Sequence, residues 1–216
     1  LSRVGVDYFD FYLLHGVNAS KSDRFPTSNL EKDDAFGAWE FLKRVKAEGK
    51  AKHIGFSFHD SAEVLDQILT AHPEMEFVQL QINYADWEDK VIQSRACYEV
   101  AMKHNKPVII MESLKGGTLL KLRPDIETVF KNANPGASIA SWGIRYAASL
   151  PGIITVLSGM QSMEIVNDNL SYMDDFKPLS EEEYKVIDRV REKMKDVDII
   201  QCTACRYCMD GCPMDI

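Results

Sequence analysis

Five strand-length apolar runs divide the chain, and a segment with helical periodicity follows each of them. The runs are Tyr8 to Leu14, His53 to Phe58, Phe77 to Ile82, Val108 to Met111 and Ile153 to Leu157. Because these runs are apolar on both faces and alternate with helices, they predict parallel strands joined by helical crossovers. The pattern therefore predicts an α/β protein built from repeated βα units.

The helical segments carry apolar stripes, and some of their ends carry recognisable signals. The stripes are Ala35, Trp39, Leu42 and Val45; Val64, Leu65, Ile68 and Leu69; Ile92, Ala96 and Val100; Ile139, Trp142 and Tyr146; and Tyr184, Ile187, Val190 and Met194. Gly49 supplies a left-handed stop for the first helix. Asp60 with Glu63, and Ser180 with Glu183, predict capping boxes at the starts of the second and the last helix.

Two architectures fit this repeat: an open doubly wound sheet and a (β/α)8 barrel. No G-x-G-x-x-G motif follows any of the runs, which lowers the expectation of a Rossmann fold without excluding an open sheet. A complete barrel needs roughly 250 residues, and five units fit in this chain. Five strands cannot close a barrel, so under the barrel interpretation we expect the chain not to be a complete folding unit.

Composition excludes several classes of function. The chain has 216 residues, is 45% hydrophobic and 27% charged, and carries a formal net charge of -8. Its cations form no basic stripe, so we expect no nucleic-acid partner. The longest apolar runs are far shorter than the roughly 20 residues of a membrane span, so we expect no membrane partner. Clustered thiols without a secretory signal predict a reducing, cytoplasmic location.

Four of the five cysteines lie in the last stretch of the sequence, at the spacing C-x2-C-x2-C-x3-C-P. They are Cys202, Cys205, Cys208 and Cys212. The spacing is that of a bacterial ferredoxin run, which binds a 4Fe-4S cluster. A structural zinc site and disulfide pairs are the alternatives, and the repeated C-x2 step and the missing secretory signal disfavour them. The fourth ligand is either Cys212 or a residue outside this sequence.

This run divides the chain into two parts and separates one cysteine from the rest. We assign residues 1–196 to the βα repeat and residues 197–216 to an iron-sulfur segment. Cys97 lies in the middle of a predicted helix. We interpret it as a small buried hydrophobic residue and not as a metal ligand.

Polar side chains stand where the predicted strands end. If the barrel interpretation holds, the chemistry of the protein belongs at these ends. Each residue taken alone is explained equally well by the ordinary return of polar residues after a strand. Their occurrence on four strands together predicts a functional site, formed by His15, Ser57, His59, Gln79, Asn83, Glu112 and Ser113.

Four segments, in order along the chain, resemble parts of the aldo/keto reductases. They are GVDYFDFYLLH (Gly5 to His15), GKAKHIGFSFHD (Gly49 to Asp60), FVQLQINY (Phe77 to Tyr84) and TVLSGMQSMEIVNDNL (Thr155 to Leu170). The resemblance covers residues 1 to about 195. With the cysteine run, it suggests the branch that carries a C-terminal 4Fe-4S ferredoxin-type module. It implies the C-terminal five βα units of a TIM (β/α)8 barrel, followed by the start of a ferredoxin-like iron-sulfur segment.

The resemblance also implies roles for individual residues. His15 would hydrogen-bond the substrate carbonyl and orient it. Ser57 and Gln79 would hold the nicotinamide carboxamide, a task that suits a hydroxyl paired with an amide. Asp168 and Asn169 match the pair that contacts the adenine. A solvated helix face is the alternative interpretation of those last two residues.

Four positions depart from the family pattern. The asparagine that usually follows the strand serine is Phe58, and the tyrosine that usually stacks under the nicotinamide is Met111. The Met111 thioether can still pack against a ring. The lysine and arginine that commonly bind the 2'-phosphate are replaced by Gly159 and Ile165. Without those cations we expect NADH to serve as well as NADPH.

The resemblance implies an oxidoreductase in which NADPH or NADH gives hydride to a small-molecule carbonyl substrate. The tyrosine, lysine and aspartate that complete the family's proton delivery have no matching positions in this chain. An alternative is a catalytically inactive barrel that acts as an iron-sulfur electron-transfer or scaffold protein, and a zinc-binding module is a third. A nicotinamide gives two electrons together as hydride, whereas a 4Fe-4S cluster passes one electron at a time, and a flavin usually links the two. No flavin-binding pattern is visible in the sequence, so we expect the cluster to be structural or to serve an external electron-transfer protein.

Overall fold

The structure is a computed structural model that describes residues 1–19 and 36–196. The cysteine run lies outside the described residues, as do Ala35 and the boundary predicted at 196/197. The strands are β1 (Phe9–Val17), β2 (Ala51–Phe58), β3 (Phe77–Gln81), β4 (Val108–Met111) and β5 (Ile153–Val156). The helices are α1 (Ala38–Ala47), α2 (Ala62–Ala71), α3 (Ser94–Lys103), α4 (Pro124–Ala133), α5 (Ile139–Ala148), α6 (Met163–Met173) and α7 (Glu181–Lys195), with a 3-10 helix at Lys115–Leu120.

The five strands form one parallel sheet in the order β1-β2-β3-β4-β5. Each strand therefore pairs with the next one along the chain. A doubly wound sheet reverses its strand order at a switch point, so this order excludes that alternative for the described residues. The sheet is instead similar to part of a (β/α)8 barrel, in which strand order follows chain order.

The two faces of the sheet differ in what covers them. Side chains of successive strand residues point to opposite faces. Phe56 and Leu80 lie on the face that packs against the helices in the larger core cluster. Phe11 and His53 stack on the other face, with ring centroids 5.2 Å apart, and both are exposed. This second face carries Ser57 and Gln79, which are partners in register.

A second core cluster forms under α4, α5 and α7. The Phe130 and Trp142 rings stack with centroids 4.9 Å apart, and Ile187 of α7 is buried beside them. Glu183 fixes the start of α7 in two ways, since it completes a capping box with Ser180 and pairs with Arg145 of α5 at 2.6 Å. The capping box predicted for the last helix is thus confirmed.

The observed boundaries confirm most of the predicted strands and correct some details. β1 continues to Val17, so His15 lies within the strand and not after its end. The N-cap of α2 is Ser61, whose hydroxyl accepts from the Val64 N–H; the prediction of Asp60 was wrong by one residue. α3 begins at Ser94, so Ile92 precedes it. Gly49 has the predicted left-handed backbone, with φ of 67°.

α4, α6 and the 3-10 helix are elements that the apolar stripes did not predict. Within residues 1–19 and 36–196, no helix combines the length and the apolar character needed to cross a membrane.

Candidate nucleotide-binding site at the strand ends

Three of the predicted site residues come together from three neighbouring strands. Ser57 is 0% exposed and lies beside Gln79 in the β2–β3 register. The Gln79 amide nitrogen lies 3.3 Å from the Met111 sulfur. Because parallel strands end at the same edge of a sheet, this hydroxyl, amide and thioether form one surface. The side-chain oxygen of Gln79 remains an acceptor on that surface.

The Ser57 hydroxyl also holds the end of β1. Its Oγ accepts a hydrogen bond from the Gly16 N–H at 2.8 Å. Gly16 has φ of 68°, and the β1–β2 register shifts between Leu14 and Val17. This irregularity places a backbone N–H over a strand serine. A hydroxyl can donate while it accepts, so this bond leaves the Ser57 proton unused.

His15 belongs to a cluster of titratable groups drawn from three strand ends. His59 follows β2, and Glu112 follows β4. Burial lowers the pKa of His59, the nearby His15 lowers it further, and Glu112 acts in the opposite direction. The three side chains are therefore close enough to act on one another electrostatically. His15 itself is exposed.

A buried carboxylate that the sequence did not identify lies at the edge of this site. Asp86 is 1% exposed and accepts hydrogen bonds from Gln81 at 3.0 Å, from Asn83 at 2.9 Å and from the Lys115 ammonium. Burial alone would raise the pKa of Asp86, but the hydrogen bonds from Lys115, Asn83 and Gln81 outweigh burial, and the pKa lies below its usual value.

The turn that follows β4 has an unusual backbone. Four of its residues have positive φ, namely Glu112 at 57°, Lys115 at 50°, Gly116 at 59° and Gly117 at 85°. Its internal bonds run from Lys115 N–H to the Glu112 carbonyl and from Gly117 N–H to the Leu114 carbonyl. Among the described residues, no acceptor receives the N–H groups of Ser113, Leu114 or Gly116. Left-handed turns with free amides are concavities that bind anions.

The two residues predicted to contact adenine point into the protein and are already bonded. Asn169 is 8% exposed; its amide donates to Ser158 at 2.8 Å, and its oxygen accepts from Tyr172. The Ser138 hydroxyl donates to Asp168 at 2.9 Å. The alternative of a solvated helix face is therefore wrong for Asn169. These hydrogen bonds connect α6 to neighbouring segments. An adenine ring that contacted Asp168 or Asn169 would therefore have to compete with their existing hydrogen-bond partners.

The structure shows where the residues that depart from the family pattern lie. Phe58 is buried in the larger core cluster, so its ring does not belong to the surface formed by Ser57, Gln79 and Met111. Gly159, Met160, Met163 and Ile165 are exposed at the start of α6, and we call these residues the apolar rim. Gln161, Ser162 and Glu164 lie between them, and none of residues 159–165 carries a positive charge. Apolar atoms offer no charge to a phosphate.

Cys97 is buried, as predicted. Its thiol lies 3.6 Å from the Asp60 carbonyl oxygen, and burial raises its pKa to about 11. A protonated thiol is a poor metal ligand. In the described part of the chain, no group of three or more histidine, cysteine or acidic residues is arranged to hold a metal ion.

Comparison with solved structures shows the same fold in known enzymes. An aldo/keto reductase from Klebsiella pneumoniae in complex with NADP and acetate superposes with a TM-score of 0.62 at 19% identity, covering 88% of this chain and 61% of that one. An aldo-keto reductase from Bacillus halodurans in its apo form gives 0.63 at 18% identity, with coverage of 88% and 64%. The glycerol dehydrogenase of Gluconobacter oxydans gives 0.62 at 18% identity, with coverage of 93% and 64%.

This chain thus spans a little over three fifths of the length of those structures. A comparison with curated proteins gave no significant match. The model of the aldo/keto reductase family matches residues 1–192, which is most of the chain. The chain therefore belongs to the aldo/keto reductase family.

Proposed function

We propose that this chain is a nicotinamide-dependent oxidoreductase of the aldo/keto reductase type, acting on a small-molecule carbonyl, and that its C-terminal cysteines bind a 4Fe-4S cluster. The observation that supports the first part is the meeting of Ser57, Gln79 and Met111 on one surface. His15 lies in the adjoining strand β1, two residues before its last residue. The surface thus lies beside the residue assigned to the substrate.

The chemistry of these groups suits a nicotinamide ring. The Ser57 hydroxyl donates to the carboxamide oxygen, and the Gln79 oxygen accepts from the carboxamide nitrogen. The Met111 thioether packs against the ring. These contacts fix which face of the ring is turned to the substrate, while His15 hydrogen-bonds the carbonyl oxygen and orients the carbonyl. The bound nicotinamide supplies the hydride.

The turn after β4 suits the diphosphate of the same cofactor. Its free amides at Ser113, Leu114 and Gly116 offer donors to phosphate oxygens. The relative from Klebsiella pneumoniae is in complex with NADP. The apolar rim at Gly159 and Ile165 lacks a partner for a 2'-phosphate, so NADH and NADPH both serve this chain.

The proposal of a cluster rests on the cysteine run alone. Cys202, Cys205, Cys208 and Cys212 supply thiolates at the ferredoxin spacing, and they lie outside the described residues. Cys97 is excluded as a fifth ligand by its burial. The cluster is structural or exchanges electrons with an external protein.

A second candidate is a barrel without catalytic activity that keeps the cluster as its working part. The burial of Phe58 in place of the family's asparagine favours this candidate, because one expected nicotinamide contact is missing. An iron-sulfur scaffold or electron-transfer protein would not need that contact.

Titration with NADH and NADPH, followed by quenching of tryptophan fluorescence, tests the proposal. The wild-type chain is expected to bind both cofactors, and Gln79→Ala is expected to weaken binding about tenfold because a hydrogen-bonding partner is lost. Gln67→Ala, on the exposed side of α2, is the matched control and should bind like the wild type. No binding by the wild type would favour the inactive scaffold, and equal binding by the two variants would contradict the role of Gln79.

A further inference from the structure

An ion pair joins the loop after β3 to the turn after β4. Asp86 lies in the first segment and Lys115 in the second, 29 positions apart. Asn83 makes a second link between the same segments, since its side-chain nitrogen donates to both Asp86 at 2.9 Å and the Glu112 carbonyl at 3.1 Å. We call this set, Asn83, Asp86, Glu112 and Lys115, the loop latch.

The burial of Asp86 makes the latch sensitive to the loss of either partner. Its carboxylate is 1% exposed, whereas the Lys115 side chain is 44% exposed. A buried charge without a partner is strongly unfavourable. The Lys115 ammonium is therefore strongly favoured to stay paired with Asp86. Asp86, in the loop after β3, thus determines where that ammonium lies.

The latch also fixes the backbone of the turn. Lys115 has φ of 50°, a conformation that residues with a side chain rarely adopt. Its ammonium is held by Asp86 while its N–H is held by the Glu112 carbonyl, and that carbonyl is also held by Asn83. Three contacts thus maintain a left-handed residue next to the free amides of Ser113, Leu114 and Gly116.

The structure assigns Asp86 as a positioning residue that, through Lys115, holds the turn at residues 112–117 ready for the diphosphate of a dinucleotide. The assignment rests on the proposed function, because only a phosphate-bearing cofactor gives the turn an anion to bind. Asp86 does not contact the ligand. It restricts the motion of the turn in the free protein, which lowers the entropy that is lost when the ligand binds.

Three variants of the full chain test this assignment: Asp86→Asn, Lys115→Met and the double variant. The probe is ADP-ribose, which carries the diphosphate without the nicotinamide and so does not depend on Ser57 or Gln79. We expect each single variant to weaken ADP-ribose binding about tenfold and the double variant to weaken it no further, because the two residues act as one unit. Lys115→Arg, which keeps the charge, should restore part of the affinity.

Asp66→Asn is the control for the loss of a paired carboxylate. Asp66 holds Lys103 at 2.8 Å on the helical side of the sheet, far in the chain from the turn. This variant should bind ADP-ribose like the wild type. A positioning role also predicts an unchanged kcat with a raised KM for NADH in Asp86→Asn, whereas a general loss of folded protein would lower the apparent kcat and leave KM unchanged.

Hydrogen exchange separates failure of this assignment from failure of the proposed function. The bonded amides of Lys115, Gly117 and Leu119 should exchange faster in Asp86→Asn and in Lys115→Met than in Asp66→Asn. If the wild type binds neither NADH nor ADP-ribose but exchange rises as expected, the latch stands and the proposed function fails. If exchange is unchanged, or if Asp86→Asn binds ADP-ribose as well as the wild type, the assignment is overturned.

Discussion

The Ser57 hydroxyl oxygen lies 2.8 Å from the Gly16 nitrogen and accepts its hydrogen. This bond joins two strands at the point where β1 loses its regular register with β2. One buried hydroxyl thereby fixes the strand end that follows His15. It also explains why a serine at this position has a role even before a cofactor binds.

We therefore expect Ser57→Ala to destabilise the fold by about 1–3 kcal/mol, because the Gly16 N–H would be left without a partner. Urea unfolding measures this change. Ser171→Ala, at an exposed hydroxyl of α6, should shift the free energy of unfolding by no more than about 0.5 kcal/mol. Equal effects of the two variants would contradict the role of Ser57 in holding β1.

The contact between Gly55 and Phe77 gives a sharper test of packing in the sheet. A Cβ atom at Gly55 would overlap the Phe77 carbonyl oxygen and lie 2.8 Å from its ring. We expect Gly55→Ala to cost about 3 kcal/mol or more, since a buried sheet cannot move its backbone aside. Gly159→Ala is the matched control, because its Cβ would meet nothing within 4 Å. A stable Gly55→Ala variant would show that β2 and β3 are less closely packed than described.

The imidazole of His59 should titrate below its ordinary value of 6.5, because burial and then His15 lower its pKa. NMR titration of the ring protons measures this. His15→Gln should raise the pKa of His59, and Glu112→Gln should lower it further. Since the folded pKa lies below the unfolded one, the unfolded chain binds more protons as the pH falls through 6.5, and His59 removes stability there. Shifts of the same sign in both variants would contradict the cluster.

Anaerobically prepared protein should contain iron and sulfide and absorb in the visible region if the cysteine run binds a cluster. Cys205→Ser should lose most of both the iron and the absorbance. Cys97→Ser should retain them, because the Cys97 thiol is buried in the protein. Stoichiometric zinc in place of iron would refute the cluster and support a zinc site.

Dissociation constants for NADH and NADPH should agree to within about tenfold, because no cation replaces the family's two at Gly159 and Ile165. The double variant Gly159→Lys, Ile165→Arg should favour NADPH by about tenfold or more. A preference of about a hundredfold for NADPH in the wild type would show that another group binds the 2'-phosphate.

Sequence patterns predicted the sheet well and its loops poorly. Apolar runs marked all five strands because each strand is covered by helices, and β4 was predicted to the residue. The end of β1 was misplaced because His15 closes the apolar run while backbone pairing continues through Gly16 to Val17. α4 was missed, although Pro124 at its first turn and the buried Ile126 and Phe130 gave a usable signal.

The sequence could group candidate site residues only where alternation along a strand decides which face a side chain occupies. Ser57 and Gln79 lie in register, and alternation along each strand places them on a common face. The pair formed by Asp86 and Lys115 could not be found in this way, because its partners are 29 positions apart and lie in irregular segments. No short-range pattern encodes such a contact.

The left-handed backbone at Lys115 matters for attempts to engineer a more stable variant of this protein. Left-handed positions are where a change to glycine is routinely chosen to gain stability, since a side chain there costs about 1–3 kcal/mol. Lys115→Gly would satisfy that rule and would also delete the only ammonium that the described structure places on Asp86. A search that ranks variants by melting temperature alone would thus favour loss of the Lys115 ammonium, which holds the turn in the conformation proposed to bind the diphosphate.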